Sequence, residues 1–469
     1  MADAPGILGH THEIGVRWRN FRGFADTGWL RLKPITVFIG ANNGGKSSLL
    51  EPLLLMKQSM LSRTGGNALL TRGTYHDSGS FRDFVHMHDP TRPVKFELRW
   101  HSHPSKPSQP VGAYAPGGAD FTFIQGAEPE TVSLASYRVF DTHQRLMLKR
   151  TRRDTGTYSL KQSTKLPEIP PKISDPDLRR VIRDDKPVDF LFRSSAIREA
   201  ALQPADSEGG LPALSLSSGD SAVDHYCAAI EYVNFQIQAI LERLNYIGPL
   251  REPAKRVYSL SGEMPPDVGT HGENAPEIIY RWRHQKAVLK NLRKWLKHFE
   301  FNADLIWDSV GFEGFSLLLQ HEKDAPTSFL DVGFGVSQVL PLIVQGLKSR
   351  TRSWTITEQP EIHLNPRLQA KLADFFVSLA NQDKGLLIET HSEHFLLRLR
   401  SLVAGGEIPA ENVALYYVEA TETGSSVRSV PIQTNGYIDP KNWPAGFFED
   451  SLRESLRLAH TQSQYKKDQ

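Results

Sequence analysis

Cysteine is almost missing from this chain: Cys227 stands alone in 469 residues, which excludes an internal disulfide framework and any zinc site built from several thiolates. Long apolar runs are missing as well. The most hydrophobic stretch, LLEPLLLM at 49–56, is interrupted by Glu51 and Pro52 far short of membrane-spanning length, so no membrane partner is expected. An excess of one charge is also lacking, with 55 Lys and Arg against 53 Asp and Glu and a pI near 8.4. The surface as a whole is therefore no magnet for nucleic acid, and any such binding must be local. No sustained heptads and no internal repeat occur, which argues against a long coiled-coil arm. The first residues lack a basic region followed by an apolar stretch, so a cytoplasmic location is expected. Hydrophobic content of 39% and a mean hydropathy of −0.38 describe an ordinary globular protein, long enough for two or three structural units.

Secondary-structure signals alternate along the chain. ITVFIG at 35–40 reads as a short buried strand, followed by glycines and a helical pattern from Lys46 to about Met60. VKFELRW at 94–100 alternates apolar and polar residues, as an antiparallel strand with one wet face does, and similar runs follow at 121–125, 132–139, 145–150 and 157–161. Proline-rich or small-residue stretches at 101–118, 164–176 and 204–220 read as loops around an inserted region. Val223, Tyr226, Cys227, Ile230, Val233, Ile237 and Leu241 then recur at helical spacing and place the cysteine on a buried stripe. A second helix is expected from Pro276 to about Phe299. From residue 353 a strand, helix, strand, helix, strand order (353–358, 366–380, 385–389, 393–404, 413–418) implies a parallel sheet with ligands at the carboxyl ends of its strands.

One motif carries specific chemistry. GANNGGKS at 40–47 satisfies the phosphate-loop pattern G-x-x-x-x-G-K-[ST] and has the strand before it and helix after it that the motif needs. Gly40, Gly44 and Gly45 let backbone N–H groups approach phosphate oxygens, with Asn42, Asn43 and Ser48 completing the loop. Lys46 supplies charge to the β- and γ-phosphates and Ser47 a hydroxyl to Mg2+. The other half of such a site is an acid at the end of an apolar strand, and WTITE at 354–358 delivers Glu358 there as a metal-side ligand. ETHSEH at 389–394 puts His391 at the next strand's carboxyl edge, within the region of a γ-phosphate or an attacking water, with Ser392 as helix cap. DVGFGVSQVLPL at 331–342 offers Gly335, Ser337 and a helix N-terminus, a second anion site that suits the nucleotide of another copy.

Together, the segment from Val16 to Leu50, FLDVGFGVSQVLPL and the pair EQPEIHLNP and ETHSEH resemble the ATP-binding-cassette-type heads of the SMC and OLD class. They are most similar to bacterial stand-alone ATPases with an EQPEIHLHP and ETHSEH C-terminal half. The resemblance is strong at the beginning and in the final third, and poor over 100–230. It implies an α/β P-loop NTPase of ABC-ATPase head type, a mixed sheet with an antiparallel β subdomain and an inserted helical region. By the same resemblance, 12–163 is an N-terminal ATPase lobe, 164–300 the insertion, 301–435 a C-terminal lobe and 436–469 a tail. It implies head-to-tail pairing of two copies around ATP and Mg2+. Gly335 and Ser337 then act across the pair, His391 is the switch histidine, Asn365 lies between the two sites, and 78–86 holds a loop that senses the γ-phosphate.

The sequence departs from the wider class at Gln359, where the cassette pattern has a glutamate that accepts the proton of water. An amide orients water but takes no proton, so slow hydrolysis is expected, with ATP chiefly locking an assembled state. Glu361 is the nearby carboxylate that can substitute; its alternative is a plain first-turn acid ahead of the helix that Asn365 caps and Pro366 opens.

Three functions follow from these features. The first is a regulatory ATPase that forms a dimer or larger homo-oligomer and controls a separate effector, a nuclease or toxin, like the ATPase half of two-gene phage-defence systems such as PARIS and Septu. The second is an SMC-like ATPase of DNA repair or DNA holding. The third, a transporter subunit, is disfavoured by the insertion and by the lack of an LSGGQ string. Nucleic acid stays open as a partner: the basic side of 276–299 reads first as a solvated face. The pairs His86 and His88, and His101 and His103, lack acids at ligand spacing, so a metal site there is disfavoured. YIGPLREP at 246–253, with Arg251, resembles a segment recurring in this group but has no assigned chemistry. Glu419 has no Asp-x-Asp after it, which excludes the nuclease domain of some OLD proteins.

Overall fold

The computed structural model describes residues 14–62, 67–100, 116–162, 173, 176–195, 197, 221–301, 303–311, 314–320, 325–331 and 335–442. The expected loops at 164–176 and 204–220 fall largely outside these residues. So do His101, His103, most of 101–118 and the tail from 443 onward. The chain divides into two compact units, one of Met1–Leu32, Ser47–Leu244 and Ala420–Ser426, the other of Lys33–Lys46, Asn245–Glu419 and Val427–Gln469.

The first unit is built on an antiparallel sheet in the order β2, β1, β5, β6, β7, β8, β9, with β3 also paired to β1. Its strands are β1 (Ile14–Phe21), β2 (Phe24–Asp26), β3 (Leu30–Leu32), β5 (Val94–Trp100), β6 (Pro116–Gln125), β7 (Val132–Asp141), β8 (Leu146–Arg152) and β9 (Tyr158–Gln162). Alternation places Trp18, Phe96, Phe121 and Tyr137 on one face, all fully buried, with Trp18 edge-on to Phe96 at 5.3 Å. Pro116 to Gly118, at the end of the expected loop 101–118, are already strand: Gly118 pairs with Arg99.

Helix α4 (Ser221–Glu242) buries the stripe read from its spacing, including Tyr226, Cys227, Ile230 and Val233. The helix expected from Lys46 begins later, as a 3-10 turn Ser47–Leu49 followed by α1 (Glu51–Leu61). Pro52 explains the delay, because it has no N–H to reach the Ser48 carbonyl. A short α2 (Phe81–Phe84) and α3 (Pro176–Asp184) complete the unit's longer described helices.

Arg150 of β8 is fully buried and holds two elements to the sheet. It donates to Asp185 at 2.8 Å and to the Tyr226 hydroxyl at 3.2 Å, also bonds the Ile182 carbonyl, and lies 3.7 Å over the Phe192 ring. Burial pushes the Tyr226 phenol up to about 12, so it stays neutral and able to accept from the guanidinium.

The second unit carries a six-stranded sheet in the order β10, β15, β16, β4, β17, β18. These are β4 (Ile35–Gly40), β10 (Leu244–Ile247), β15 (Trp354–Glu358), β16 (Gly385–Glu389), β17 (Val413–Thr421) and β18 (Gly424–Ser429). β15, β16, β4 and β17 run parallel, with Glu358 level with Glu389, Glu389 with Phe38, and Gly40 with Val418. Helices α8 (Pro366–Ala380) and α9 (Glu393–Ala404) make the crossovers, as the alternating pattern predicts. A smaller antiparallel sheet joins β11 (Tyr258–Ser259), β12 (Asp304–Val310), β13 (Gly314–Gln320) and β14 (Thr327–Ser328). The fold is α/β with mixed sheets.

The helix expected over 276–299 is two helices, α5 (Ala275–Arg281) and α6 (Lys286–His298). Arg283 ends the first by giving both its backbone N–H and its guanidinium to the Tyr280 carbonyl, each at 3.1 Å. Gln285 then leaves helical geometry at ψ 79°. Pro341 inside α7 (Gly335–Lys348) packs on Gly272, where a Cβ would lie 2.5 Å from the proline ring.

Truncation of Arg150 strands a buried Asp185 carboxylate. Arg150→Ala is expected to lower unfolding stability by about 3–5 kcal/mol, and Arg150→Met by less, in urea denaturation.

Candidate functional site

The carboxyl ends of the parallel strands hold most of the residues that the sequence singles out. β4 is buried throughout and stops at Gly40, whose φ is 150° and whose Cβ, if present, would lie 1.9 Å from the Val418 carbonyl oxygen. Gly44 is less tightly placed, with a Cβ meeting the same oxygen at 3.0 Å, and Gly45 has φ 96°. Ala41, Asn42 and Asn43 form the exposed tip, Asn43 with φ 62°. Such a loop requires glycine where it lies against the next strand.

Lys46 is only 4% exposed and its ammonium donates to its own loop, to Ala41 O at 2.9 Å and Gly40 O at 3.2 Å. Burial holds its pKa below the usual lysine range, against the opposing pull of Glu389 and Glu361. Ser47 and Ser48 follow it as the start of the 3-10 turn.

β15 delivers Glu358 to the same edge, where the Tyr246 hydroxyl donates to its Oε1 at 2.9 Å. Gln359 turns the chain with φ 44°, its N–H bonded to the Glu389 carbonyl at 2.8 Å and its own carbonyl accepting from Arg251 at 3.1 Å. Left-handed backbone at a non-glycine residue is a local strain, and here two hydrogen bonds hold it in place. Arg251, 6% exposed, also donates to Pro249 O at 3.2 Å and reaches Glu358 O at 3.4 Å. Burial lowers its pKa to about 10, with Glu361 the leading charge opposing the shift.

Glu361 is 9% exposed; its Oε1 accepts the His391 N–H at 2.6 Å, and its Oε2 is buried without a hydrogen bond of good geometry. Burial raises its pKa above the ordinary carboxylate range, the hydrogen bond from His391 and the charge of Arg251 offsetting part of that rise. His391 is half-buried, and burial together with the charge of Lys46 lowers its pKa, which favours neutral imidazole. Ser392 and Asn365 cap α9 and α8 as expected, accepting from Phe395 N and Leu368 N at 3.0 Å each.

The structure thus gathers Lys46, Glu358, Gln359, Glu361 and His391 with the loop glycines. Gly335 stands apart: its nearest neighbours are Leu364, Leu368 and Phe301, none of them a phosphate-loop residue. A Cβ there would make ordinary contacts at 3.8 Å or more, so the packing of this chain does not itself require glycine. Ser337 is half-buried in the first turn of the same helix, and 332–334 lie outside the described residues. Three members were not chosen from sequence. Glu389 is 4% exposed and lies level with Glu358, while Tyr246 and Arg251 come from a segment more than a hundred residues before their partners. Within YIGPLREP the cue was its resemblance to a segment recurring in the group, which carried no chemical assignment.

A phosphate loop on the central strand, a neighbouring strand ending in acids and a histidine-bearing third edge define a P-loop nucleotide hydrolase. Residues 35–398 match the family model described as AAA domain, putative AbiEii toxin, Type IV TA system, and the chain belongs to that AAA family. Residues 408–458 match a family described as a protein of unknown function, DUF3696. Comparison with curated proteins finds no significant match. Among solved structures, an SMC head bound to the C-winged helix domain of ScpA is 10% identical, covering 91% of this chain and 98% of its own, with a TM-score of 0.38. The SMC head domain of Thermotoga maritima is 7% identical, covering 89% and 98%, with a TM-score of 0.35. A Pyrococcus furiosus Smc head with an extended coiled coil, bound to the C-terminal domain of ScpA, is 9% identical, covering 90% and 96%, with a TM-score of 0.38. No helix among the described residues is long and apolar enough to cross a membrane.

The raised pKa of Glu361 has a sign that stability measurements read. Folding binds its proton more tightly than the unfolded chain does, so its contribution is present at low pH and is lost as pH rises from about 4.3 through the folded value. Glu361→Gln is expected to gain stability relative to the parent as pH climbs through that window, in denaturant titrations run at a series of pH values.

Proposed function

We propose that this AAA-family chain is an ATP-binding, slowly hydrolysing ATPase of ABC head type that assembles through ATP-sandwich pairs and regulates a separate effector protein in the bacterial cytoplasm. The observation that carries the reading is Gln359. It ends the metal-side strand, its backbone is clamped between Glu389 and Arg251, and its side chain is an amide that accepts no proton.

Five residues then divide the chemistry. Lys46 exchanges the carbonyls of Gly40 and Ala41 for phosphate oxygens. Glu358, steadied by Tyr246, and the Ser47 hydroxyl are hard oxygen donors of the kind that bind Mg2+ together with phosphates, and the ion would neutralise charge on the transferring phosphoryl group. Neutral His391 donates or accepts a hydrogen bond at the terminal phosphate. Glu361 is the remaining acceptor for the proton of water, its raised pKa making it the stronger base once ionised. Gly335 and Ser337 serve the nucleotide of a second copy; a glycine that its own chain does not require supports a role outside that chain. The expected lobes at 12–163 and 301–435 belong to the nucleotide-binding head; of the expected insertion 164–300, the part from Leu244 onward supplies β10 and Arg251 to the same sheet and site, and the rest individualises the head. The family description, which names a toxin and a type IV TA system, supports a partner of the nuclease or toxin kind and a role in anti-phage defence.

Two experiments test this. Particle mass is expected to rise when Mg-ATP is added, and to stay constant for Lys46→Ala; equal masses with and without nucleotide would refute nucleotide-driven assembly. Turnover is expected to increase about tenfold or more in Gln359→Glu and to fall in Glu361→Gln, as a positioned base contributes at least that much. A Gln359→Glu protein no faster than the parent removes the reason for calling the enzyme slow.

A further inference from the structure

The aromatic face of the first unit's sheet is its core; the opposite face is charged, and its residues are paired by register. Arg19 lies opposite Asp26 on one side and Lys95 on the other, and Arg17 opposite Glu97. Glu97 in turn faces Asp120, and Asp120 faces Arg138. Arg138 faces Lys149, which faces Lys161. Arg99 stands in the same row as Gly15 and Gly118. Directly opposed residues share a face, and Arg31 lies opposite Gly15, so this one side carries eight bases and three acids. The surplus of +5 exceeds the +2 of the whole chain and leaves the remainder at −3.

Two of the three acids lie beneath the bases; the third, Asp26, is exposed and accepts from Arg17 Nε at 2.8 Å. Glu97 and Asp120 are 4% and 1% exposed, whereas the side chains of Arg17, Arg19 and Arg138 keep 24%, 33% and 30% of their surface. Each acid is shared: Glu97 by Arg17, Arg19 and Arg138 at 3.6–3.8 Å, Asp120 by Arg99 at 2.6 Å and Arg138 at 2.7 Å. Arg99 is further held between the rings of Trp29 and Phe140, 4.9 and 4.3 Å away. A guanidinium has five N–H groups in a rigid fork, so one ion pair below leaves donors above, already oriented.

We propose that this face binds the sugar-phosphate backbone of double-stranded nucleic acid without reading its sequence. The spacing favours that occupant over an acidic protein. Bases two apart on a strand are about 7 Å from each other and adjacent strands about 4.8 Å apart, a periodic field some 29 Å across seven strands. A duplex presents an equally regular row of phosphates, one charge per about 1.7 Å of axis, and guanidinium forks match phosphate bidentately. Between the bases stand the small neutral side chains of Ser136, Thr151 and Ser159, which leave room for a backbone to approach; Ser136 and Ser159 donate within the sheet, to Thr122 Oγ1 at 3.1 Å and Thr151 O at 3.2 Å. The basic helix α6 differs: its exposed lysines stand on flexible stems, without buried acids on their own helix to orient them. The inference does not depend on the assignment of Gln359 or on pairing of two copies.

Anisotropy of a labelled duplex of about 30 base pairs at about 50 mM salt tests it. Sequence-independent binding is expected, with log affinity falling linearly in log salt. Lys95→Glu, Lys149→Glu and Lys161→Glu together, which leave the buried network intact, are expected to weaken it at least tenfold and to flatten the salt slope by about 2–3. Gln at the same three positions gives a smaller loss in the same direction and keeps the test should the reversed set misfold. Lys286→Glu with Lys290→Glu is expected to change nothing. No binding at low salt, loss through the α6 pair instead, or displacement by polyglutamate as effective as by unlabelled duplex would each overturn the proposal.

Discussion

A carbonyl oxygen sits where a side chain would otherwise be. Val418 O of β17 comes so close to Gly40 that the phosphate loop can leave β4 only because that residue lacks a Cβ, and Gly44 would be tight against the same oxygen. The approach is set by the parallel pairing of β4 with β17, which continues to Gly40 itself, so the loop is held against the sheet edge rather than projecting freely. Lys46 then folds back onto the loop's own carbonyls and is buried. From that placement follow its depressed pKa, the depressed pKa of His391 beside its charge, and its attraction to Glu361 and Glu389.

The site is a balance of buried charges rather than a set of independent groups. Lys46 and Arg251 face Glu358, Glu361 and Glu389, and all but the half-buried Glu358 are buried. A fourth carboxylate at position 359 would add like-charge repulsion close in the chain to the buried acid Glu361. An amide avoids that cost and retains hydrogen bonding. The same substitution removes the ordinary proton acceptor, so the residue that eases the electrostatics also slows the chemistry in the proposed mechanism. Hydrogen bonds to its backbone, not to its amide, hold Gln359 in left-handed geometry, which is why glutamate fits the position in principle.

The first unit uses buried charge differently. Glu97 and Asp120 are sunk beneath arginines on a sheet whose other face is aromatic, and Arg150 is sunk within the aromatic side. In one case the acids orient cations toward solvent; in the other a cation joins α3 and α4 to the sheet. Both depend on strand register, because a slip of one residue would carry every arginine of a strand to the opposite face.

Local pattern was sufficient for the elements whose determinants are near in sequence. The phosphate loop, the caps at Asn365 and Ser392, the buried stripe of α4 and the crossover strands and helices were all legible, since glycine spacing, capping hydroxyls and periodicity act over a few residues. The break between α5 and α6 was not, because it rests on an arginine turning back to the Tyr280 carbonyl instead of extending a favourable apolar stripe. Nor were the roles of Tyr246, Arg251 and Glu389, or the common face of Arg17, Glu97, Asp120 and Arg138. Those residues meet only through strand pairing over tens to hundreds of positions, and the free energy of such meetings is decided by which surfaces pack, not by what stands next in the chain. The sequence alone determined a loop of phosphate-loop pattern and an acid closing an apolar strand; tertiary structure alone decided which buried partners set their charge.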